Sequence, residues 1–315
     1  MAKLTATDWI WRDGEFVAWQ DANVHVLSHS MQFGSSAFEG IRCYSTSRGP
    51  AIFRLEDHLT RLLNSCKIYR MEVPYTIDEL VAASCELVEK NGMDACYIRP
   101  MVLRGYGAAG MVPFDSPVSV VLPCWPWGSY LGDAAMENGA DACVSSWNRV
   151  APNTLPAAAK MAGNYLSGQL IKMEALANGY DEAIALSPDG MVSEGSGQNV
   201  FVVHRGAIIT TPSNGTLLPG ITRDSIIILA RELGIEVREV AVQRELLYTA
   251  DEIFLTGTAS EVTPVRSVDK ITVGAGRMGD VTRRIQRTFM DIVQGKAEDT
   301  HGWLTHVRAE RASAK

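Results

Sequence analysis

One stretch of this 315-residue chain follows neither of the periodicities that build regular structure. Residues 124–136 read CWPWGSYLGDAAM, and Pro126, Gly128 and Gly132 interrupt both a helical stripe and strand alternation. A chain of this length is also long for one hydrophobic core. The expectation is an N-terminal domain over 1–123, a connecting loop over 124–136 and a C-terminal domain over 137–315. Connections of this kind are places where ligand sites form.

Before the break, strands alternate with short turns. DWIWRDGEFVAW predicts a hairpin around Asp13–Gly14, and IRCYSTSRGPAIF predicts a second. Leu55, Leu59, Leu62, Leu63 and Cys66 then make one apolar helical stripe. A further helix starts at Thr76, with Glu79 completing a capping box, and stops near Asn91–Gly92. CYIRPMVLR and VSVVLPCW read as strands. After the break come strand DACVSSW, a helix running to about Ala177, strands separated by SPDG, HRGA and PSNG, and helices from about Thr222 and Val281. The fold class is mixed, α+β in the first half and α/β in the second.

Charge narrows the partners. The net charge is −7 and no run of lysine or arginine occurs, which argues against nucleic acid and anionic membrane surfaces. No segment has the apolar length of a spanning helix, and MAKLTATDWIWRDGE lacks a signal-peptide core. The six cysteines form no C-x-x-C pair and read as reduced thiols of a cytoplasmic protein.

Several chemistries lack their signatures. The histidines show no metal-ligand spacing, and no G-x-S-x-G elbow occurs. Gly105-Tyr-Gly-Ala-Ala-Gly110 matches a dinucleotide fingerprint, but MVPFDSP follows it where a helix should open. A glycine-rich loop is the better reading.

LPAAAKMAGNYL is different. Lys160 is the only charged residue between Arg149 and Lys172, and small apolar residues surround it. Either its ammonium snorkels to water, or it stays desolvated, which lowers its pKa and makes the amine a nucleophile able to form a Schiff base. LLPGITRDSIIILARELG places a helix start, with Thr222 able to cap it, where backbone N–H groups suit a phosphate. Glu194, beside Gly195 and Gly197, is either a solvated turn residue or an inward acid needing a cation. Arg61 lies off its leucine stripe, either in solvent or reaching an anion. Tyr97 and Arg99, two apart on a strand, share a face. A lysine, an anion-binding helix start with an arginine, and an acid together match what pyridoxal 5'-phosphate needs.

The chain resembles the branched-chain amino acid aminotransferases, pyridoxal-phosphate enzymes of fold type IV, along nearly its whole length. FEGIRCY, YIRP, PWGSYLG, SSWNRVAPNTLPAAAKMAGNYL, SEGSGQNVF, LPGITRDSI and LTGTASEVTPVRSVD carry the likeness. The resemblance implies a two-domain fold like that of D-amino acid aminotransferase, with the active site between the domains. It implies that Lys160 holds the cofactor and shuttles a proton, and that Glu194 pairs with the pyridine nitrogen. Tyr165 would meet the phenolic oxygen, and Arg61, Leu218, Ile221, Thr222 and Thr258 would hold the rest of the cofactor. The substrate side would be Phe33, Phe38, Gly40, Tyr97, Arg99, Trp127, Tyr130, Thr258 and Ala259, with Arg99 taking the second carboxylate of glutamate.

The activity implied is ping-pong transfer of an amino group between leucine, isoleucine or valine and 2-oxoglutarate. A homodimer at least is expected, with a homohexamer as the larger alternative. Three related activities share the cofactor residues: D-amino acid transamination, (R)-amine transamination and aminodeoxychorismate lysis. A catalytically silent binding protein on the same scaffold is a reading from another class. The chain departs from the family where HYG is common and it has Gln32-Phe33-Gly34, and where Gln198 replaces an acid.

Overall fold

The computed structural model describes residues 4–128 and 132–307. Its contacts divide the chain into two compact units. The first holds the chain up to Trp127, the short piece Ala159–Gly163, and the chain from Asp291 onward; the second comprises Gly128–Ala158 and Asn164–Met290. This differs from a simple cut at the connecting loop. The piece around Lys160 joins the first unit through an antiparallel bridge between Ala37 and Met161, and the C-terminal strand Leu304–His306 joins it by pairing with Gly49–Phe53.

The first unit contains two antiparallel five-stranded sheets. One runs Glu15–Ala18, Trp9–Arg12, Val118–Leu122, Met101–Arg104, Ser36–Phe38; the other runs Leu304–His306, Gly49–Phe53, Ile41–Thr46, Cys96–Ile98, Cys124–Trp125. Three chain segments pass from one sheet to the other, at Glu39–Gly40, at Arg99–Pro100 and at Pro123. CYIRPMVLR and VSVVLPCW are therefore each two strands, because proline has no N–H to continue a ladder. The crossings are tied together: Glu39 N–H donates to Pro100 O at 2.8 Å, and Arg99 N–H donates to Pro123 O at 2.9 Å. Helices Leu55–Ile68 and Ile77–Lys90 bury Leu55, Leu59, Leu62, Cys66, Leu80 and Leu87 in one core with Ile41, Ile52, Ile98 and Leu122. The capping box at Thr76 is present, with both reciprocal hydrogen bonds to Glu79.

The second unit is built on a mixed nine-stranded sheet, with Ala140–Val144 parallel to both its neighbours. Its helices include Tyr165–Ala177 and Ile221–Glu232. The latter begins two residues earlier than a Thr222 cap requires. Gly220 is the cap, in extended conformation and without a side-chain bond, and Thr222 is buried inside the first turn.

Residues 105–117 form no helix after the glycines, as expected of a loop. All six cysteines are free thiols, five of them buried. Among the described residues, no helix is long and apolar enough to cross a membrane, and no group of histidine, cysteine and acidic side chains could hold a metal ion.

Candidate active site

The sheet crossings of the first unit gather one set of polar side chains. The Lys160 backbone is fixed on two sides: Phe38 N–H donates to its carbonyl at 3.0 Å, and its own N–H donates to Ser65 Oγ at 2.9 Å. Its chain neighbours Ala159 and Met161 are buried. The side chain keeps some surface, yet the protein crowding its amine pushes the pKa down to about 8, against the opposing charge of Glu39. Of the two readings of this lysine, the desolvated one fits.

Glu39 is fully buried and accepts from Arg61 Nε at 2.6 Å, from a second Arg61 nitrogen at 2.9 Å, and from His58 Nδ1 at 2.7 Å. Burial alone would raise its pKa, but the charges and hydrogen bonds of Arg61 and His58 hold the carboxyl far below the usual range. Burial also lowers the His58 imidazole below its ordinary value, with Glu39 opposing. Arg61 thus reaches sideways to an anion that belongs to the protein itself.

Aromatic rings frame the rest of this set. Tyr97 pairs across the ladder with Trp125, and its ring centroid lies 5.3 Å from that of Trp125 and 5.0 Å from that of Trp127. The Arg99 guanidinium lies over Phe38 at 4.9 Å and over Tyr97 at 5.2 Å, and it donates to Tyr97 Oη at 3.4 Å. Gly40 is required here because a Cβ on it would sit 1.8 Å from Tyr97 Oη. Lys160, Arg61, Phe38, Gly40, Tyr97, Arg99 and Trp127 are therefore all in this unit. Phe33 is 42% exposed at the end of His29–Phe33, its ring tilted against that of His29. Tyr130 lies outside the described residues.

The second unit supplies a different set. Glu194, at the end of strand Val192–Gly195, is buried and paired with Arg149 at 2.7 Å. It also accepts from Leu218 N–H at 3.2 Å and Asn199 Nδ2 at 3.4 Å. Of its two readings, the inward acid is correct, and Leu218 meets it through the backbone. A Cβ on Gly220 would lie 2.1 Å from Asn199 Oδ1, so only glycine lets the start of the Ile221 helix approach the Glu194 network. Tyr165 opens helix Tyr165–Ala177. Gly168 in that helix lies against the Glu194 turn, where a Cβ would meet Ser196 O at 2.2 Å. Thr258 and Ala259 form the turn between strands Glu252–Gly257 and Glu261–Val268. Beside them, the buried hydroxyls of Thr256 and Ser260 have no hydrogen-bond partner among the described residues.

Glu39, His58 and Arg149, which belong to these two sets, were not legible in the sequence. Glu39 and Arg149 do lie inside FEGIRCY and SSWNRVAPNT, but nothing local marks an acid or a base whose partner comes from another element.

These two sets carry the chemistry of a transaminase. The class IV amino-transferase family model matches residues 36–268, and the chain belongs to this family. It is 52% identical over 301 residues to the branched-chain-amino-acid aminotransferase of Escherichia coli (strain K12), covering 95% of this chain and 97% of that one. It is 43% identical over 299 residues to the enzyme of the same name from Pseudomonas aeruginosa, covering 95% and 97%. The crystal structure of the Escherichia coli enzyme matches with a TM-score of 0.94 at 52% identity, covering 96% of this chain and 100% of that one. The T.th. branched-chain amino acid aminotransferase, solved with pyridoxamine 5'-phosphate, matches with a TM-score of 0.93 at 45% identity, covering 97% and 100%.

Proposed function

We infer that this chain is a pyridoxal-phosphate-dependent branched-chain-amino-acid aminotransferase, exchanging amino groups between leucine, isoleucine or valine and 2-oxoglutarate. The observation that carries the chemistry is Lys160, an amine on a doubly anchored backbone with its pKa lowered to about 8. The residues present fit the cofactor. A desolvated amine, the Arg61 cation, a helix start closed by Gly220 and the buried acid Glu194 answer its aldehyde, phosphate and ring nitrogen in turn.

When bound, pyridoxal phosphate supplies a carbonyl to take up the amino group and a ring that withdraws electrons from the substrate Cα. Lys160 Nζ takes and returns the proton at that Cα, and its lowered pKa leaves the free base accessible near neutral pH. Glu194, held by Arg149, Asn199 and Leu218, keeps a proton on the ring nitrogen. Phe38, Tyr97 and Trp127 give an apolar wall for a branched side chain, and Arg99 binds the second carboxylate of glutamate. The Thr258–Ala259 turn and Tyr97 hold the α-carboxylate.

A homodimer at least is part of this reading. Val26, Leu27, Met31, Tyr106, Met111, Val112 and Phe114 are all exposed, and the two segments that carry them touch through His25 and Tyr106 at 4.5 Å between ring centroids. So many exposed apolar side chains on two touching segments suit burial against a second copy. The unpaired thiols suit a reducing compartment such as the cytoplasm.

The test is the visible spectrum of purified protein. L-leucine and L-glutamate should each convert the bound cofactor to its pyridoxamine form, whereas D-alanine and (R)-1-phenylethylamine should leave it unchanged. Conversion by the D-amino acid or the amine alone would move the chain to a sister activity. Lys160→Ala should stay folded and lose turnover; substantial residual transamination would show the lysine is misassigned.

A further inference from the structure

The aromatic cluster of the first unit holds more hydrogen-bond donors than its protein partners use. Trp125 is only 8% exposed, yet its indole Nε1 is buried without a partner among the described residues. The same is true of Trp127 Nε1 and of Arg99 Nε. These three groups belong to one assembly. Trp125 and Trp127 are two apart in sequence with ring centroids 6.3 Å apart, and Arg99 Cζ lies 5.8 Å from the Trp125 ring. Tyr97 touches both tryptophans and Arg99. The ladder explains the convergence: Tyr97 faces Trp125 in register, so their side chains leave the sheet on one side.

Buried donors without acceptors are costly, and three of them in one cluster around a guanidinium call for an acceptor of high capacity. A carboxylate offers two oxygens and about four lone-pair sites. Among the described residues, no acidic side chain pairs with Arg99, whereas Arg61 and Arg149 each have a buried glutamate. An acceptor brought from outside the protein would answer all three donors.

We propose that Trp125 is a specificity-determining substrate residue, whose indole N–H joins Arg99 and Trp127 in seating the distal carboxylate of a dicarboxylic amino or oxo acid. The proposal rests on the transaminase reading above. An aliphatic substrate brings no distal acceptor to these donors and meets only the ring faces. Trp125 therefore separates the two half-reactions, contributing a hydrogen bond to the dicarboxylate and packing alone to the branched chain.

Trp125→Phe keeps a ring in the core and removes the N–H. Two unreactive acids, glutarate and 4-methylpentanoate, are titrated calorimetrically into wild-type and variant holoenzyme. The dissociation constant for glutarate should rise about tenfold or more, as loss of a hydrogen bond to a charged group implies, while that for 4-methylpentanoate changes less than about twofold. The ratio of kcat/KM for 2-oxoglutarate to that for a branched 2-oxo acid should fall by the same factor. Unchanged glutarate binding would overturn the proposal, as would equal weakening of both acids, which would mean the ring only packs. Should Trp125→Phe fold poorly, Trp125→His, which restores an N–H on a smaller ring, should bind glutarate selectively over 4-methylpentanoate; loss of that preference would also overturn it. If wild-type holoenzyme binds neither acid and turns over neither substrate, the transaminase reading itself fails.

Discussion

The Lys160 ammonium lies 5.1 Å from the centroid of the Phe38 ring, and the Arg99 guanidinium lies 4.9 Å from the same centroid. One phenyl ring thus lies against both the Lys160 amine and the cation proposed to bind the second carboxylate. Both groups gain from the ring's negative face as cations, while the Arg99 charge itself helps to lower the Lys160 pKa. The placement follows from the chain's path. Phe38 ends one strand and Arg99 follows another, each where the backbone leaves one sheet for the next.

Glu39 is expected to set the charge state of this neighbourhood. Its carboxylate raises the Lys160 pKa, so Glu39→Gln should move that pKa below about 8. The check is the pH profile of Lys160 modification in protein freed of cofactor, whose midpoint should fall. Glu39→Gln also leaves Arg61 without its counter-charge, and breaking a buried pair costs roughly 3–5 kcal/mol. Because Glu39 titrates far below an unfolded carboxyl, its stabilisation is full above the ordinary carboxylate range and lost as pH falls through and below it. The difference in unfolding free energy between wild type and variant should therefore shrink in acid. A constant difference from about pH 7 to about pH 3 would contradict this.

Gly220→Ala should weaken cofactor binding without changing the charge of the chain. The new Cβ would lie 2.1 Å from Asn199 Oδ1, so Asn199 has to move. Asn199 Nδ2 bonds both Leu218 O and Glu194, so the acid loses one of its donors. The cofactor dissociation constant, measured by dialysis and absorbance, should rise about tenfold, the worth of one hydrogen bond to a charged group. An unchanged value would remove this helix start from the site.

Phe33→Tyr tests the departure at Gln32-Phe33-Gly34. If the missing hydroxyl weakens dicarboxylate binding, restoring it should lower the KM for 2-oxoglutarate by about tenfold, the worth of one hydrogen bond to a charged group. The KM for leucine should stay within about twofold. Steady-state kinetics with both substrates decides, and an unchanged KM for 2-oxoglutarate would sink the idea.

What the sequence made legible was local. Both hairpins, the leucine stripe, the capping box at Thr76 and the helix reaching Ala177 follow from periodicity and turn chemistry within a few residues. Lys160 was conspicuous because charge is rare around it. What stayed hidden depends on pairings distant in sequence: Glu39 with Arg61, and Glu194 with Arg149. The sheet switches at Pro100 and Pro123 were also hidden, since each flank alone reads as ordinary strand. The discontinuous units have the same cause, since the Ala37–Met161 bridge joins residues far apart in the chain.

Gln198 replaces an acid common in the family, and its surroundings explain what that change does. Its Nε2 donates to the fully buried Glu182 at 2.8 Å, and Glu182 also holds Lys172 Nζ at 2.9 Å. Its backbone carbonyl accepts from Gly195 N–H at 2.6 Å, which closes the turn that follows Glu194. Gln198→Glu would set two buried carboxyls against each other, with one lysine between them. The pair's proton affinity must rise above that of an unfolded glutamate, and each unit of rise costs about 1.4 kcal/mol once the pH exceeds it. An acid whose folded pKa is raised costs nothing below its unfolded value and its full amount above its folded value. The Gln198→Glu variant should therefore match wild type in thermal midpoint near about pH 4 and fall progressively behind toward about pH 8. Glu194 turns over the same loop, so the kcat of the variant should decline over the same interval. A midpoint difference that stays flat with pH would mean that Lys172 neutralises both acids, and that the glutamine has no electrostatic role.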